Sequence, residues 1–328
     1  MAKEVTPEQI AQIDEMVARA HTALDIIATY DQQRVDRLCQ AVAAAVCDMK
    51  VWAPICDEAV DETSLGDKVT KRNKRNKIKL ILRDCLRQPS VGIIEENPAK
   101  GLVKYAKPAG VIASLVPTTN PCLTPAGQIV YAIKARDVMI CSPHPRAKVV
   151  TNKIIDIIRA TLVREGAPAD IIQGIKDPSI NLTKVLMERC DLVIATGGRP
   201  MVKSAYSSGT PAYGSGAGNA TVIIDDTCNT PERQKEAAEN TRISKTSDFG
   251  SGCSCDGNLV IHESIYDDFV KALVAEGAYL ANEEEAEKLK KVMWDETGHR
   301  LPNTVASAPR NWPLLLALKS LKTASSLQ

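Results

Sequence analysis

The chain has 328 residues, enough for two domains that each bury a core. Its 41 Lys and Arg against 40 Asp and Glu leave a formal charge of +1, so no global field draws it to nucleic acid or an anionic membrane. Ten cysteines with no CxxC pair, no apolar N-terminal segment and no run near the roughly 18 apolar residues of a membrane span argue against a disulfide scaffold, a zinc ribbon and a membrane protein, and fit a soluble enzyme without a metal site in a reducing cytoplasm.

The N-terminal third reads as helix. Thr6 and Gln9 form a capping box with Pro7 in the first helical position, and Ile10, Ile13, Val17 and Leu24 mark one apolar stripe. A second helix starts at about Asp31, with Val35, Leu38, Val42 and Val46 at helical spacing. A long polar helix follows, carrying Lys71, Arg72, Lys74, Arg75, Lys77 and Lys79; a basic run without interleaved aromatics reads as a solvated helix face. At Val91 the period changes. Val91–Ile94 and Leu102–Tyr105 form a hairpin around Asn97 and Pro98, ended by Pro108 and Gly110.

Beyond the hairpin the chain alternates. Strands are predicted at Val111–Val116, Val138–Cys141, Ile171–Ile175, Leu192–Ala195 and Thr221–Ile224, separated by helices at Thr124–Lys134, Lys148–Arg164, Ser179–Arg189 and Pro200–Ser207. Strands that are short and apolar throughout, each followed by a helix, imply an α/β fold with a doubly wound parallel sheet covered on both faces. Ligands of such sheets collect at the carboxyl ends of the strands. Small polar loops stand there: PTTNP with Pro117, Thr118 and Asn120, SPHPR with Ser142, Pro143 and His144, and TGGRP with Thr196, Gly197 and Gly198. No strand is followed by GxGxxG or by a P-loop, and GSGAGN, which contains Gly216, precedes a strand instead of following one. These loops alone imply only an anion or nucleotide at the sheet edge.

After a helix at Pro231–Ile243 comes SKTSDFGSGCSCDGN (Ser244–Asn258), and then the apolar strand Leu259–Ile261. Glycines and serines let a backbone approach a substrate closely, and unpaired N–H groups in such a turn can hold a developing negative charge. Cys253 and Cys255 are therefore either a nucleophile with its neighbour or two ordinary half-buried thiols.

PTTNP, SPHPRAK, DLVIATGG with MVKSAYSSGTPAYGSGAGN, and SKT followed nine residues after its serine by Cys253 together resemble the CoA-acylating branch of the aldehyde dehydrogenase superfamily, from about Asp61 to Tyr279. SLGDKV (Ser64–Val69) and SGCSCDGN (Ser251–Asn258) are similar to its sulfoacetaldehyde-oxidising members. The resemblance implies a Rossmann-like nucleotide-binding domain over residues 1–245, with an oligomerisation hairpin at 91–108, and an incomplete catalytic domain over residues 246–328. It implies NAD or NADP as cofactor, coenzyme A as co-substrate and a small aldehyde, sulfoacetaldehyde or acetaldehyde, as substrate. A cysteine thiolate adds to the aldehyde, hydride passes to the nicotinamide, and coenzyme A takes the thioester. SKT at Ser244–Thr246 and SIYDDF at Ser264–Phe269 both place the family nucleophile on Cys253, with Asn120 and the Cys253 N–H as oxyanion donors. Pro117, Thr118, Ser142, Pro143, His144, Thr196, Gly197, Gly198 and Gly216 are the implied cofactor contacts.

The chain departs from the family in three places. Hydrolytic relatives carry a water-activating glutamate at the place of Gly214, so a thiol acceptor is expected here. The lysine and glutamate that grip the adenosine ribose in those relatives are absent from SPHPR, which leaves NAD against NADP open and His144 as either a phosphate contact or a structural residue. From Arg300 onward the alternation fades into an apolar helix-like run, Leu314–Leu321, where acylating relatives continue well past this length. The reading that follows is a second domain short of its layers, loosely held, with an exposed sheet edge. Two alternatives to an active dehydrogenase stay open: a catalytically silent fragment, and a thiol acyltransferase without redox chemistry.

Overall fold

The structure is a computed structural model and describes residues 5–308. Five helices open the chain: α1 (Pro7–Ile27), α2 (Gln32–Cys47), α3 (Met49–Thr63), α4 (Lys68–Lys71) and α5 (Arg75–Leu86). The expected capping box closes α1, with Gln9 N donating to Thr6 Oγ1 at 3.3 Å and Thr6 N to Gln9 Oε1 at 3.2 Å. All four residues of the predicted α2 stripe, Val35, Leu38, Val42 and Val46, are buried. The polar helix is corrected. A 3-10 turn at Arg72–Lys74 splits it into α4 and α5, and of its cations Lys77 and Lys79 are exposed whereas Lys71 is buried and Arg72 and Lys74 are half-buried. α3, with Pro54 in its interior, carried no signal strong enough to separate it from its neighbours.

The chain divides into two compact units. The first runs to Thr63 and resumes from Arg72 to Ala217; the second joins Ser64–Lys71 to the chain from Gly218 onward. In the first, β1 (Gly92–Asn97) and β2 (Leu102–Ala106) form the antiparallel hairpin. β3 (Val111–Val116), β4 (Val138–Pro143), β5 (Ile172–Gly174), β6 (Leu192–Thr196) and β7 (Ala212–Ser215) form one parallel sheet in the order β5-β4-β3-β6-β7. Every residue of β3 and β4 is buried, the reason their sequences are apolar without alternation. β7 escaped prediction because it is an edge strand, half-exposed and lacking an apolar run.

The connecting helices are α6 (Leu123–Ala135), α7 (Lys148–Arg164), α8 (Ile180–Arg189) and α9 (Arg199–Tyr206). α6 and α7 pack on the sheet with α2 behind them, and α1 packs with α8 against β3 and β4. Through α6 and α7 the chain moves from β3 to β4 to β5, and α8 then returns it to β6 on the opposite side of β3. The chain thus leaves β3 and β6 in opposite directions. Such a reversal opens a crevice at the carboxyl ends of the two strands.

In the second unit, β8 (Ala220–Ile224) and β9 (Asp256–Ile261) pair in parallel across α10 (Pro231–Thr246), followed by α11 (Tyr266–Ala275) and α12 (Glu283–Met293). Ile224, Ile265 and Phe269 are its apolar core cluster, with Val222, Leu259, Ile261 and Leu273 packed around them. On the other face Ile223 and Val260 stand opposite each other in register, 74% and 54% exposed. The division falls at Gly218 and not at residue 246, because β8 pairs with β9 and α10 packs on α11. Past α12, Trp294 bridges to Arg300, whose guanidinium lies 4.8 Å from the Trp294 ring centre. The apolar run Leu314–Leu321 lies outside the described residues.

Candidate active site

In the first unit the carboxyl edge of the sheet draws the predicted loops together. His144 N donates to Val116 O at 3.0 Å and Gly197 N to Ser215 O at 3.1 Å, which ties the loop after β4 to β3 and the loop after β6 to β7. Pro117, Thr118 and Asn120 are half-buried after β3, and Gly216 is exposed after β7. Not every implied contact offers a free group. Ser142 is buried, with its hydroxyl 2.7 Å from that of Thr183, and Pro143 is buried in β4. His144 accepts from Arg146 N at 3.1 Å through Nδ1 and so caps the 3-10 turn ahead of α7. Desolvation, then the adjacent Arg146, hold its ring below the usual histidine range.

Two helix N-termini face this edge, and they differ. α7 is closed by Glu62, whose carboxylate accepts from Val149 N at 2.9 Å and Val150 N at 2.8 Å. α9 begins at Gly198 without any side-chain cap; Pro200 brings no N–H and Met201 N donates to Gly198 O at 3.0 Å, so the Arg199 amide and the positive end of the dipole are what it offers an anion. Thr196, Gly197 and Gly198 are therefore where this edge can hold phosphate. Glu62 was not found from sequence, because nothing in the local pattern links it to a helix that starts 86 residues later, at Lys148.

Asn120 has a second residue behind it. Lys74 Nζ donates to Asn120 Oδ1 at 2.6 Å. An ammonium only donates, so the amide oxygen must face Lys74 and the NH2 group turns away from it. Lys74 was hidden in the basic run assigned to solvent. Gly214 sits in β7, where an added Cβ would approach Val202 at 2.5 Å and the Tyr206 ring at 2.7 Å. No carboxylate can be carried there without displacing both.

In the second unit the turn that carries Cys253 and Cys255 follows α10. Ser244 Oγ donates to Asp256 Oδ1 at 2.7 Å and accepts from Asp256 N at 3.1 Å, closing the loop between α10 and β9. Within it Asp248 and Phe249 adopt left-handed conformations, φ 52° and 48°, before Gly250. Of the ten cysteines, all unbridged and all described, Cys253 is the exposed one. Cys255 is half-buried, its thiol within 3.4 Å of Gly250 O and its N–H bonded to Gly252 O at 3.1 Å. Buried thiols elsewhere are inert: desolvation pushes Cys39, Cys141 and Cys190 up to about 12. The two candidate thiols thus separate by exposure, and Cys253 is the one a substrate can reach.

The first unit is a parallel α/β sheet with a switch point between β3 and β6, and the second carries an exposed cysteine on a glycine turn. The model of the aldehyde dehydrogenase family matches residues 3–292, and the chain belongs to that family. It is 41% identical over 281 residues to a sulfoacetaldehyde dehydrogenase of Acholeplasma sp, covering 85% of this chain and 57% of that protein. It is 38% identical over 283 residues to the acylating sulfoacetaldehyde dehydrogenase of Bilophila wadsworthia, covering 86% and 60%. Among solved structures, an acetylating aldehyde dehydrogenase from Geobacillus thermoglucosidasius superimposes with a TM-score of 0.85 at 31% identity, over 92% of this chain and 66% of that one. The chain thus spans less than two thirds of the length of either dehydrogenase.

Proposed function

We propose that this chain carries the nucleotide domain and nucleophile of a CoA-acylating aldehyde dehydrogenase, which oxidises a small aldehyde to its acyl-CoA. The observation that carries the reading is Cys253, the exposed thiol among ten, set on a glycine turn where the family's nucleophile is expected. Its thiolate adds to the carbonyl carbon. The donors that the family resemblance implies for the oxygen that becomes an alkoxide are the Asn120 amide, whose oxygen Lys74 Nζ holds, and the Cys253 N–H. Bound NAD or NADP supplies the hydride acceptor, and coenzyme A supplies the thiol that accepts the acyl group. Cys253 then holds the acyl group as a thioester until that thiol displaces it, and Gly214 offers no base to activate water in its place. The uncapped α9 and its Thr196-Gly197-Gly198 loop fit a dinucleotide diphosphate.

Two of the similar proteins are named for sulfoacetaldehyde, and we place that aldehyde ahead of acetaldehyde as substrate. Unbridged thiols suit a reducing cytoplasm. Among the described residues no single helix is long and apolar enough to cross a membrane. The β1–β2 hairpin exposes Ile93, Leu102, Val103 and Tyr105, an apolar surface that supports assembly with further copies.

The reading is tested by incubating the full chain with acetyl-CoA and mapping the acetylated peptide. Acetyl transfer to Cys253, abolished in Cys253→Ala and retained in Cys255→Ala, is expected. Transfer to Cys255, or to neither thiol, overturns the assignment. Acyl transfer with no NADH or NADPH formation from sulfoacetaldehyde and coenzyme A, supplied with NAD+ or with NADP+, points to the non-redox acyltransferase instead.

A further inference from the structure

SLGDKV, the segment Ser64–Val69, marks the sequence yet has no part in the chemistry above. Its position accounts for it. In the second unit, Ser64–Lys71 wraps around one side chain of the nucleophile turn, Asp248, which is fully buried. Asp67 N donates to Asp248 Oδ1 at 2.9 Å, and Lys71 Nζ, itself 4% exposed, donates to Oδ2 at 2.9 Å. Asp248 N donates to Thr70 Oγ1 at 2.6 Å. Gly66, at φ +80°, completes the cradle, because a Cβ there would overlap the Asp248 carboxylate. Gly66 N in turn donates to Ala306 O at 2.7 Å.

Two adjacent residues other than glycine in the left-handed region do not hold that shape unaided, since each is strained and persists only where its surroundings over-determine it. The cradle holds Asp248, the first of the two, on both its carboxylate oxygens and its N–H. Strain of this kind gathers where a chain must present a group in one orientation. Here the carboxylate also accepts from Ser251 Oγ, two residues before Cys253. We infer that Asp248, held by Lys71 and Thr70, is a positioning residue that sets the turn from which Cys253 and its N–H are presented. The inference rests on Cys253 being the nucleophile.

The test uses the full chain with Thr70→Val and Asp248→Asn, and Lys71→Arg as the conservative variant. Each is treated with iodoacetamide, and the alkylation rates of Cys253 and Cys255 are read separately by peptide mass. A turn that stays clamped modifies the exposed Cys253 faster than the half-buried Cys255. Thr70→Val is near-isosteric and keeps the ion pair, so it remains a test if Asp248→Asn fails to fold. The expected result is a fall of at least tenfold in the ratio of the two rates in Thr70→Val, and in Asp248→Asn where it folds. Hydrogen exchange of β9 and α11 should be unchanged in Thr70→Val, and Lys71→Arg should retain the ratio. A ratio within twofold of wild type in Thr70→Val overturns the proposal, as does a changed ratio accompanied by faster exchange throughout the unit, which marks a purely structural role. Faster modification of Cys255 than of Cys253 in the wild-type chain defeats the nucleophile assignment instead, and is seen before any variant is made.

Discussion

The two units bury their apolar residues on different scales. The first surrounds a five-stranded parallel sheet with helices, and its continuous core takes in Trp52, Ile129, Ile133, Met139, Ile140 and Ile154, all fully buried. Among the described residues of the second, a small apolar cluster of Ile224, Ile265 and Phe269 lies beneath a two-stranded sheet whose other face shows Ile223 and Val260 to solvent. In the first unit Asn120 stands on the loop between β3 and α6, both packed into that large core, with Lys74 Nζ on its amide oxygen. The second holds its reactive turn with polar clamps, the Ser244–Asp256 tie and the Asp248 cradle, where apolar contacts are few. A small core places more weight on each polar contact, because a buried charge left without its partner costs more than most single apolar contacts supply.

The sharpest way to break this contrast is a cavity in each core. Phe269→Ala removes the largest member of the apolar cluster described in the second unit at a cost of about 3–5 kcal/mol, and should raise hydrogen exchange across β8, β9 and α11 together while β3 and β4 remain protected. Ile140→Ala costs about 2–5 kcal/mol yet should be absorbed by a core many times larger, with protection of the sheet retained. Equal, local responses to the two substitutions would erase the distinction.

A pH series sharpens the first unit's side of it. Asp137 is 5% exposed, and desolvation raises its carboxyl to about 6 from an ordinary 3.8, against the hydrogen bonds it accepts from the Gly110 and Ala109 amides. A raised carboxylate binds its proton in the fold more tightly than in the unfolded chain. Its contribution therefore grows as pH falls from about 6 toward 4 and is lost as pH rises through 6, by up to about 3 kcal/mol. Denaturant midpoints should show this slope in the wild type and a flatter one in Asp137→Asn.

Smaller effects separate site from scaffold. Lys74→Met frees the Asn120 amide to rotate and should lower the rate of thioester formation at Cys253 about tenfold, a change of about 1.4 kcal/mol, with no shift in the melting of the first unit. A lower melting temperature with unchanged rate would make Lys74 structural. Glu62→Ala uncaps α7 and should cost about 1 kcal/mol of stability while leaving that rate untouched.

Much of this protein is legible in its sequence for a physical reason. Periodicity reports burial, and in a covered parallel sheet burial is nearly complete, so β3, β4, β6 and the helices between them were placed within a few residues. The turn carrying Cys253 was found because glycine and serine in such density have few other uses. What stayed hidden has no local signature. β7 is half-exposed at an edge, so its pattern is weak. Lys71 and Lys74 stand in a basic run that looks solvated, and only tertiary structure turns one onto Asp248 and the other onto Asn120. Glu62 caps a helix far along the chain, and Ser64–Lys71 crosses into the second unit to meet a residue 177 positions beyond Lys71. Composition and spacing picked out the candidate loops and the cysteine turn. Which residues hold them in place was decided by long-range hydrogen bonds and ion pairs, whose partners are set by where the chain returns in space and not by what lies beside them in sequence.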